Sequence, residues 1–275
     1  MIKLNNEKIE FTNFPNGETK LIESSLKVLT NNIIQFKYEG DDDLIKLMFV
    51  KKYLESIHIK EIKLAIMYMP YSRMDRSENG SAFTLKYVSE FINSLNFEEV
   101  MLIEPHSDVS VALLNNAKAN YINFDLLPRV LKKVNFDYEH DYIMFPDAGA
   151  SKRYGKMKIK NVIVGNKVRN FETGDIKELE LHGNFETGGK KVVIVDDLSS
   201  YGGTFVKSAE ALRRRGIEEV YLLVAHAENS VFKGKLFDHI DHLFTTDSIM
   251  SEENHWENVK YKNKITIINI EKVVI

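Results

Sequence analysis

Hydrophobic positions along this chain fall into two recurrent patterns: short unbroken apolar runs, and longer stretches with helical spacing. Runs at residues 63–69, 100–103, 142–145, 162–164, 177–181 and 220–224, together with the run that begins at Val192, predict strands. Helical spacing is clearest over 82–95, where Phe83, Tyr87, Val88, Phe91, Ile92 and Leu95 share one face. It recurs in the segment opened by Thr204, where Phe205, Val206, Ala209 and Leu212 repeat. Strand and helix signals alternate, which predicts an α/β class with two similar doubly wound domains and mainly parallel sheets. Helix-rich sequence at 126–134 separates the halves without a glycine- or proline-rich linker, so the expected domains are 1–130 and 131–275.

One strand ends in chemistry. Val192, Val193, Ile194 and Val195 are all β-branched, as in a parallel strand buried on both faces. They lead directly into Asp196 and Asp197, at the carboxyl edge where open α/β sheets bind ligands. Ser199, Ser200, Tyr201, Gly202, Gly203 and Thr204 follow. The paired glycines let backbone amides turn toward an anion, and the helix opened by Thr204 adds a favourable dipole. Paired carboxylates beside a phosphate nest suit a sugar phosphate, with its hydroxyls near the acids and its phosphate in the loop.

Composition narrows the surroundings. The 275 residues are 44% hydrophobic, enough to bury a large core. A net charge of −3 gives no electrostatic case for a nucleic-acid partner. The absence of cysteine excludes disulfides, thiolate metal sites and a cysteine nucleophile, and it fits a reducing compartment. No apolar stretch nears the ~20 residues needed to cross a bilayer. The first six residues also lack a signal-peptide core. The expectation is a soluble, cytoplasmic protein with no membrane partner.

The segment at 191–204 resembles the phosphoribosyl-diphosphate binding motif of type I phosphoribosyltransferases and of ribose-phosphate diphosphokinases. Five further segments, in order, resemble the second family. Phe14-Pro15-Asn16-Gly17-Glu18 is similar to its Phe-x-Asp-Gly-Glu element, and Pro70-Tyr71-Ser72-Arg73-Met74-Asp75-Arg76 to its Pro-Tyr-Ala-Arg-Gln-Asp-Lys/Arg loop. Glu104-Pro105-His106 is similar to Asp-Leu-His, Pro146-Asp147-Ala148-Gly149 to Pro-Asp-x-Gly, and Lys167-Val168-Arg169 to Lys-Arg-Arg of a mobile flap.

The resemblance implies transfer of the diphosphoryl group of Mg-ATP to the anomeric hydroxyl of a ribose phosphate, with AMP released. On this reading residues 1–130 form the ATP side and residues 131–275 the sugar-phosphate side. Phe14, Asn16, Glu18, Arg73, Asp75, Arg76 and His106 are then ATP-binding residues, His106 and Asp147 hold Mg2+, and Lys167 and Arg169 are catalytic. Asp196 and Asp197 take the ribose hydroxyls, while Ser199 to Thr204 take the phosphate. Because the Phe14 element in that family serves a neighbouring subunit, a homodimer or higher homo-oligomer is implied.

Each segment also has its own physical reading. Arg73 and Arg76 follow a predicted strand, at the same kind of sheet edge as Asp196, where guanidinium groups hold phosphate oxygens in bidentate fashion. His106 is a metal ligand, a phosphate contact or a plain loop histidine. Asp147 shares metal or ribose binding, or is an acidic turn residue before Gly149. Lys167 and Arg169 lie between two predicted strands and precede Glu172, Thr173, Gly174 and Asp175, a composition that predicts a hairpin loop able to fold over a nucleotide. In extended chain the two cations would face one side. Arg213, Arg214 and Arg215 fit a solvated helix end before Gly216.

Four positions depart from the family pattern. Asn16 stands for Asp and Met74 for Gln, which bears on adenine contacts; Ser200 and Tyr201 stand for Asp-Thr inside the phosphate loop. A ring at 201 can stack on a group beyond the 5-phosphate, so the acceptor is either ribose 5-phosphate or a 5-substituted form such as ADP-ribose. Two other classes stand beside this one: a phosphoribosyltransferase consuming phosphoribosyl diphosphate, which leaves Phe14 to Glu18, Arg73, Lys167 and Arg169 without a role, and a catalytically silent regulatory relative.

Overall fold

The structure is a computed structural model that describes residues 1–157, 159–169, 176–183, 185, 190–250 and 260–274; the side chains of 167–169, 176–178 and 274 lie outside that description. The chain forms two compact units, Met1–Tyr121 and Ile122–Ile275. The division precedes the helix at 123–133, within which the boundary expected near 130 would fall.

In the first unit the order is β1 (Ile2–Leu4), β2 (Glu7–Lys8), β3 (Phe11–Asn13), β4 (Thr19–Leu21), β5 (Asn32–Phe36), α1 (Asp42–Ser56), β6 (Ile62–Ile66), α2 (Thr84–Ser94), β7 (Val100–Ile103), α3 (Asp108–Leu113) and β8 (Ala117–Asn120). Among the described residues the main sheet has the strand order β2-β1-β5-β6-β7-β8, while β3 and β4 form a separate hairpin. β5 to β8 run parallel and β1 lies antiparallel to β5. The apolar runs are strands because helices cover both faces of a parallel sheet; Leu64, Ile66, Leu102 and Ile103 are all buried. The inward face of α2 is Leu85, Val88, Ser89 and Ile92. Tyr87, expected on that face, is exposed, because it lies about 100° round the helix from Val88.

The second unit comprises α4 (Asn123–Lys133), β9 (Tyr142–Phe145), α5 (Ala148–Tyr154), β10 (Val162–Arg169), β11 (Ile176–His182), β12 (Lys191–Ser199), α6 (Gly203–Arg214), β13 (Glu219–Ala227), α7 (Leu236–His239), β14 (His242–Thr246), β15 (Ile265–Ile268) and α8 (Glu271–Val274). Its sheet has the order β11-β10-β9-β12-β13-β14-β15 and is parallel except for the β10–β11 pair. β12 lies between β9 and β13, with Val192 to Val195 fully buried. Two α/β units with mainly parallel sheets are thus present, as the alternation of patterns predicts.

Lys167 and Arg169 are placed differently from the expected loop. They belong to β10, opposite Leu179 and Ile176 of β11, with the register shifting between Val168 and Arg169. The expected loop residues Glu172, Thr173, Gly174 and Asp175 lie outside the described residues. Among the described residues no helix is long and apolar enough to cross a membrane.

The turn between β12 and α6 is clamped from beneath by the segment that follows β13. Gly202 has φ +79, and a Cβ there would lie 2.9 Å from Leu236 Cδ1. A Cβ on Gly234 would lie 2.4 Å from the Tyr201 carbonyl oxygen, so the turn rests directly on that glycine. Gly203, by contrast, has nothing within 4 Å of its Cβ position. Gly234→Ala is therefore expected to cost about 1–3 kcal/mol through overpacking. Its melting temperature should fall by several degrees, whereas that of Gly203→Ala should stay within about a degree of the parent. Equal melting of the two variants would show that the turn does not rest on Gly234.

Candidate functional site

Parallel pairing sends β9, β12 and β13 to the same sheet edge, so the residues just beyond their carboxyl ends converge by topology alone. After β9 comes Asp147, which caps α5: its Oδ1 accepts the Ala150 N–H at 3.0 Å. At the end of β12, Asp196 Oδ1 accepts the Asp197 N–H at 2.9 Å, and the Asp196 carbonyl accepts from Asn123 Nδ2 at 2.8 Å. Asp197 is buried, with Arg153 Nη1 of α5 at 3.5 Å from its Oδ1. Beyond β13 lie Glu228 and Ser230, and His226 at the strand's end is buried with Nδ1 at 2.7 Å from Ser248 Oγ.

These carboxylates act on one another. Desolvation pushes the Asp196 carboxyl well above the usual range; the Asp197 charge, a hydrogen bond with the Asp197 carboxyl and the Asp147 charge push it further. Such a pair can accept from and donate to vicinal hydroxyls.

The loop beside the acids is built on backbone. The Ser199 carbonyl accepts the Glu228 N–H at 2.9 Å, which ties the loop to the end of β13. The Ser200 hydroxyl lies 3.1 Å from Ser230 Oγ, and Ser230 donates to Glu228 Oε2 at 3.1 Å. Gly202 occupies the N-cap position of α6 in the left-handed region, where only glycine is unstrained. A helix start with its amides turned outward is an anion site, and Gly203 leaves open space in front of it. The packing of the described residues does not require glycine at 203. Tyr201 stands at the rim with 60% of its surface exposed.

The first unit carries the other expected residues, each within its own setting. Phe14, Asn16 and Glu18 form the turn of the β3–β4 hairpin, closed by Phe14 N–H to the Glu18 carbonyl at 2.8 Å and by Asn16 Oδ1 accepting the Glu18 N–H at 3.2 Å. Phe14 is 52% exposed at its tip. The loop at 70–76 follows β6 and is fixed by Asp41, which accepts the hydroxyls of both Tyr38 and Tyr71. Those two bonds hold the Asp41 carboxylate below the usual range, while burial, followed by the bond to Asp41, raises the Tyr38 phenol. Tyr71 takes a left-handed backbone, φ 61, that turns the chain toward exposed Arg73 and Arg76; Arg76 Nε lies 3.5 Å from Asp75 and 3.3 Å from Glu78. After β7, Glu104 is buried with φ 42 and His106 is half-buried.

His106 and Asp147, expected as joint metal ligands, belong to different units and are placed only within those units. Among the described residues no group of three or more His, Asp or Glu is arranged to hold a metal by itself. The structure adds four residues to the sequence reading: Arg153, Asn123, Ser230 and Glu228. The last two follow β13, and the strand-end rule that singled out Asp147 and Asp196 finds them when applied to the neighbouring strand.

The raised Asp196 carboxyl sets a sign. Its contribution to stability is fully present below the unfolded carboxylate value of about 4 and is lost as pH rises through the folded value. Asp196→Asn should therefore raise the melting temperature at pH 8, the gain shrinking toward pH 4. Absence of any gain at pH 8 would contradict a desolvated, charge-crowded carboxyl.

Comparisons with known proteins bear on the fold and on the family the chain resembles. The phosphoribosyl transferase domain model matches residues 125–261, which hold the acid pair and the loop. A ribose-phosphate pyrophosphokinase of Sulfolobus acidocaldarius is 25% identical over 97% of this chain and 90% of its own length. Another, from Pyrococcus furiosus, is 28% identical over 88% of this chain and 86% of its length. Phosphoribosylpyrophosphate synthetase from Mycobacterium smegmatis shares the fold, with a TM-score of 0.75 at 15% identity, covering 98% of this chain and 88% of that one. The motifs, their order along the chain and the shared fold make this protein similar to the ribose-phosphate diphosphokinases, a transferase of that type with the type I phosphoribosyltransferase fold.

Proposed function

We propose that this protein transfers the diphosphoryl group of ATP to the anomeric hydroxyl of a ribose phosphate and releases AMP. The observation that carries the reading is the β12 edge, where the Asp196/Asp197 pair stands beside an anion-binding helix start whose Gly203 is not required by the packing of the described residues. The relatives named ribose-phosphate pyrophosphokinase support the donor and the sugar class.

In this reading Asp196 and Asp197 hold the ribose hydroxyls and the amides around Gly203 hold the 5-phosphate, which fixes the anomeric oxygen in line with the β-phosphorus of ATP. That oxygen forms a bond to the β-phosphorus, the bond from β-phosphorus to the bridging oxygen of AMP breaks, and the hydroxyl proton is released. Positioning and charge neutralisation do most of this work. Phe14, Asn16 and Glu18 receive the adenine end of ATP, and Arg73, Asp75, Arg76 and His106 its phosphate end. Lys167 and Arg169 neutralise charge on the transferred group. Mg2+ commonly takes one or two carboxylates plus substrate phosphates, so a single carboxylate such as Asp147 suffices on the protein side. Asp147, with His106, would hold Mg2+, which when bound supplies neutralisation of phosphate charge.

The acceptor is ribose 5-phosphate or a 5-substituted form such as ADP-ribose. Tyr201 favours the second: its ring is exposed at the rim while its carbonyl is seated on Gly234, so the backbone is fixed and the ring is presented outward.

AMP should appear only when Mg-ATP and a ribose phosphate are supplied together, with ADP-ribose used at least as well as ribose 5-phosphate. Ser200→Asp with Tyr201→Thr should shift preference several-fold toward the smaller sugar, since a stacking contact is worth about 1 kcal/mol. Formation of ADP, or no turnover with either acceptor, would remove the reading; an unshifted preference for ribose 5-phosphate would remove only the substituted acceptor.

Lys167→Ala and Arg169→Ala should each lower turnover by about 100-fold or more while the fold persists, because loss of one preorganised charge donor costs on the order of 3 kcal/mol. Near-normal rates in both variants would free this strand end from any catalytic role.

A further inference from the structure

The hydrogen-bond chain under the phosphate loop has only one direction. A carboxylate accepts and cannot donate, so the hydroxyl proton of Ser230 is committed to Glu228 Oε2 at 3.1 Å. Ser230 has no second proton, and its contact with Ser200 Oγ at 3.1 Å therefore has Ser200 as donor. The one proton of Ser200 is thus committed to Ser230 and is not available to a ligand of the loop. At the next position Tyr201 carries its hydroxyl at the far end of an exposed ring. Side chains 200 and 201 accordingly bring no proton donor to an anion in the nest; the backbone amides and the half-buried Thr204 remain. A phosphomonoester carries a charge of nearly −2 at neutral pH, as a phosphoserine does. Each phosphate of a diphosphate diester carries about one charge fewer and has a second oxygen taken up in the anhydride bridge. The nest meets the second better than the first.

We infer that Glu228, acting through Ser230, is a specificity-determining positioning residue: it turns the Ser200 hydroxyl into an acceptor and so favours a 5-phosphate that carries a second substituent over a free phosphomonoester. The inference rests on the sugar-phosphate reading of this loop. It supplies a cause for that loop's acceptor preference independent of the Tyr201 ring.

The test compares the dissociation constants of ribose 5-phosphate and ADP-ribose by calorimetry on the full chain, for the parent, Glu228→Gln and Ser230→Ala, with thermal melts to confirm folding. In Glu228→Gln the amide can donate to Ser230, the chain reverses, and the Ser200 proton is released toward the ligand. In Ser230→Ala the chain is cut and the same proton is freed. Ribose 5-phosphate should bind about five- to tenfold more tightly in both variants, the worth of one recovered hydrogen bond to an anion, while ADP-ribose changes by less than about twofold. In turnover the gain should fall on KM rather than kcat. A structural role predicts the opposite sign, weaker binding of both ligands, and would overturn the inference, as would unchanged constants or failure of the parent to bind either ligand. If the affinities shift as expected while no AMP forms, the diphosphoryl-transfer reading falls and the relay stands; if AMP forms and the affinities do not move, the relay alone falls.

Discussion

Negative charge crowded at the carboxyl end of β12 is the constraint around which the second unit is arranged. Asp196 sits between the field of Asp197 and that of Asp147 in a desolvated corner, and all three effects disfavour its ionised form. A fold selected for stability alone would not hold three acids there. The parallel sheet makes the arrangement unavoidable once acids follow β9 and β12, because both strands end on the same edge. What limits the cost is local: Arg153 faces Asp197, the α5 start gives Asp147 an N–H, and Asn123 anchors the backbone of Asp196. The charge is held in place rather than cancelled, which is the condition for meeting sugar hydroxyls or a cation. Stability is traded for a ligand-ready surface.

The anion loop solves the complementary problem with almost no side-chain charge. Its donors are amides at a helix start, and its shape is set from beneath by Gly234 and Leu236 against Tyr201 and Gly202. Two glycines, 202 and 234, are therefore structural necessities, while Gly203 has open space at its Cβ position. Behind the loop, Glu228 connects to Ser200 through Ser230. Backbone, clamp and relay are three layers of one device.

Much of this was legible in the chain. The runs at 100–103 and 142–145 coincide with β7 and β9 because strands covered on both faces must be apolar throughout, and that requirement is written residue by residue. The acid pair, the glycines and the start of α6 were equally visible. Less legible were elements whose burial is not apolar. α1 turns Asp43 and Lys51 inward beside Leu47, Val50 and Leu54; Lys51 is held by Glu55 at 2.5 Å and lies over the Phe97 ring, so its hydrophobic periodicity is broken. β10 looks like a strand only at 162–164, where it also pairs with β9; beyond Val164 β11 is its only neighbour, and the polar sequence there has the composition of a loop. Tyr87 was misplaced by spacing alone, which cannot say where the edge of a buried stripe falls.

The relay residues escaped for a different reason. Ser230 and Glu228 are unremarkable in type and lie about thirty positions from the loop they serve, so only the parallel pairing of β12 with β13 brings them under it. The same pairing suggests how such a site changes its ligand without changing its scaffold. In the related pattern an acid stands within the loop at position 200; here that position is a serine, and the nearby acid Glu228 lies behind it, reached through Ser230. A carboxylate in the loop meets the ligand directly, whereas one behind two hydroxyls sets only the direction of their protons. A proton direction set in this way is a smaller effect than a charge and leaves the backbone of the loop intact.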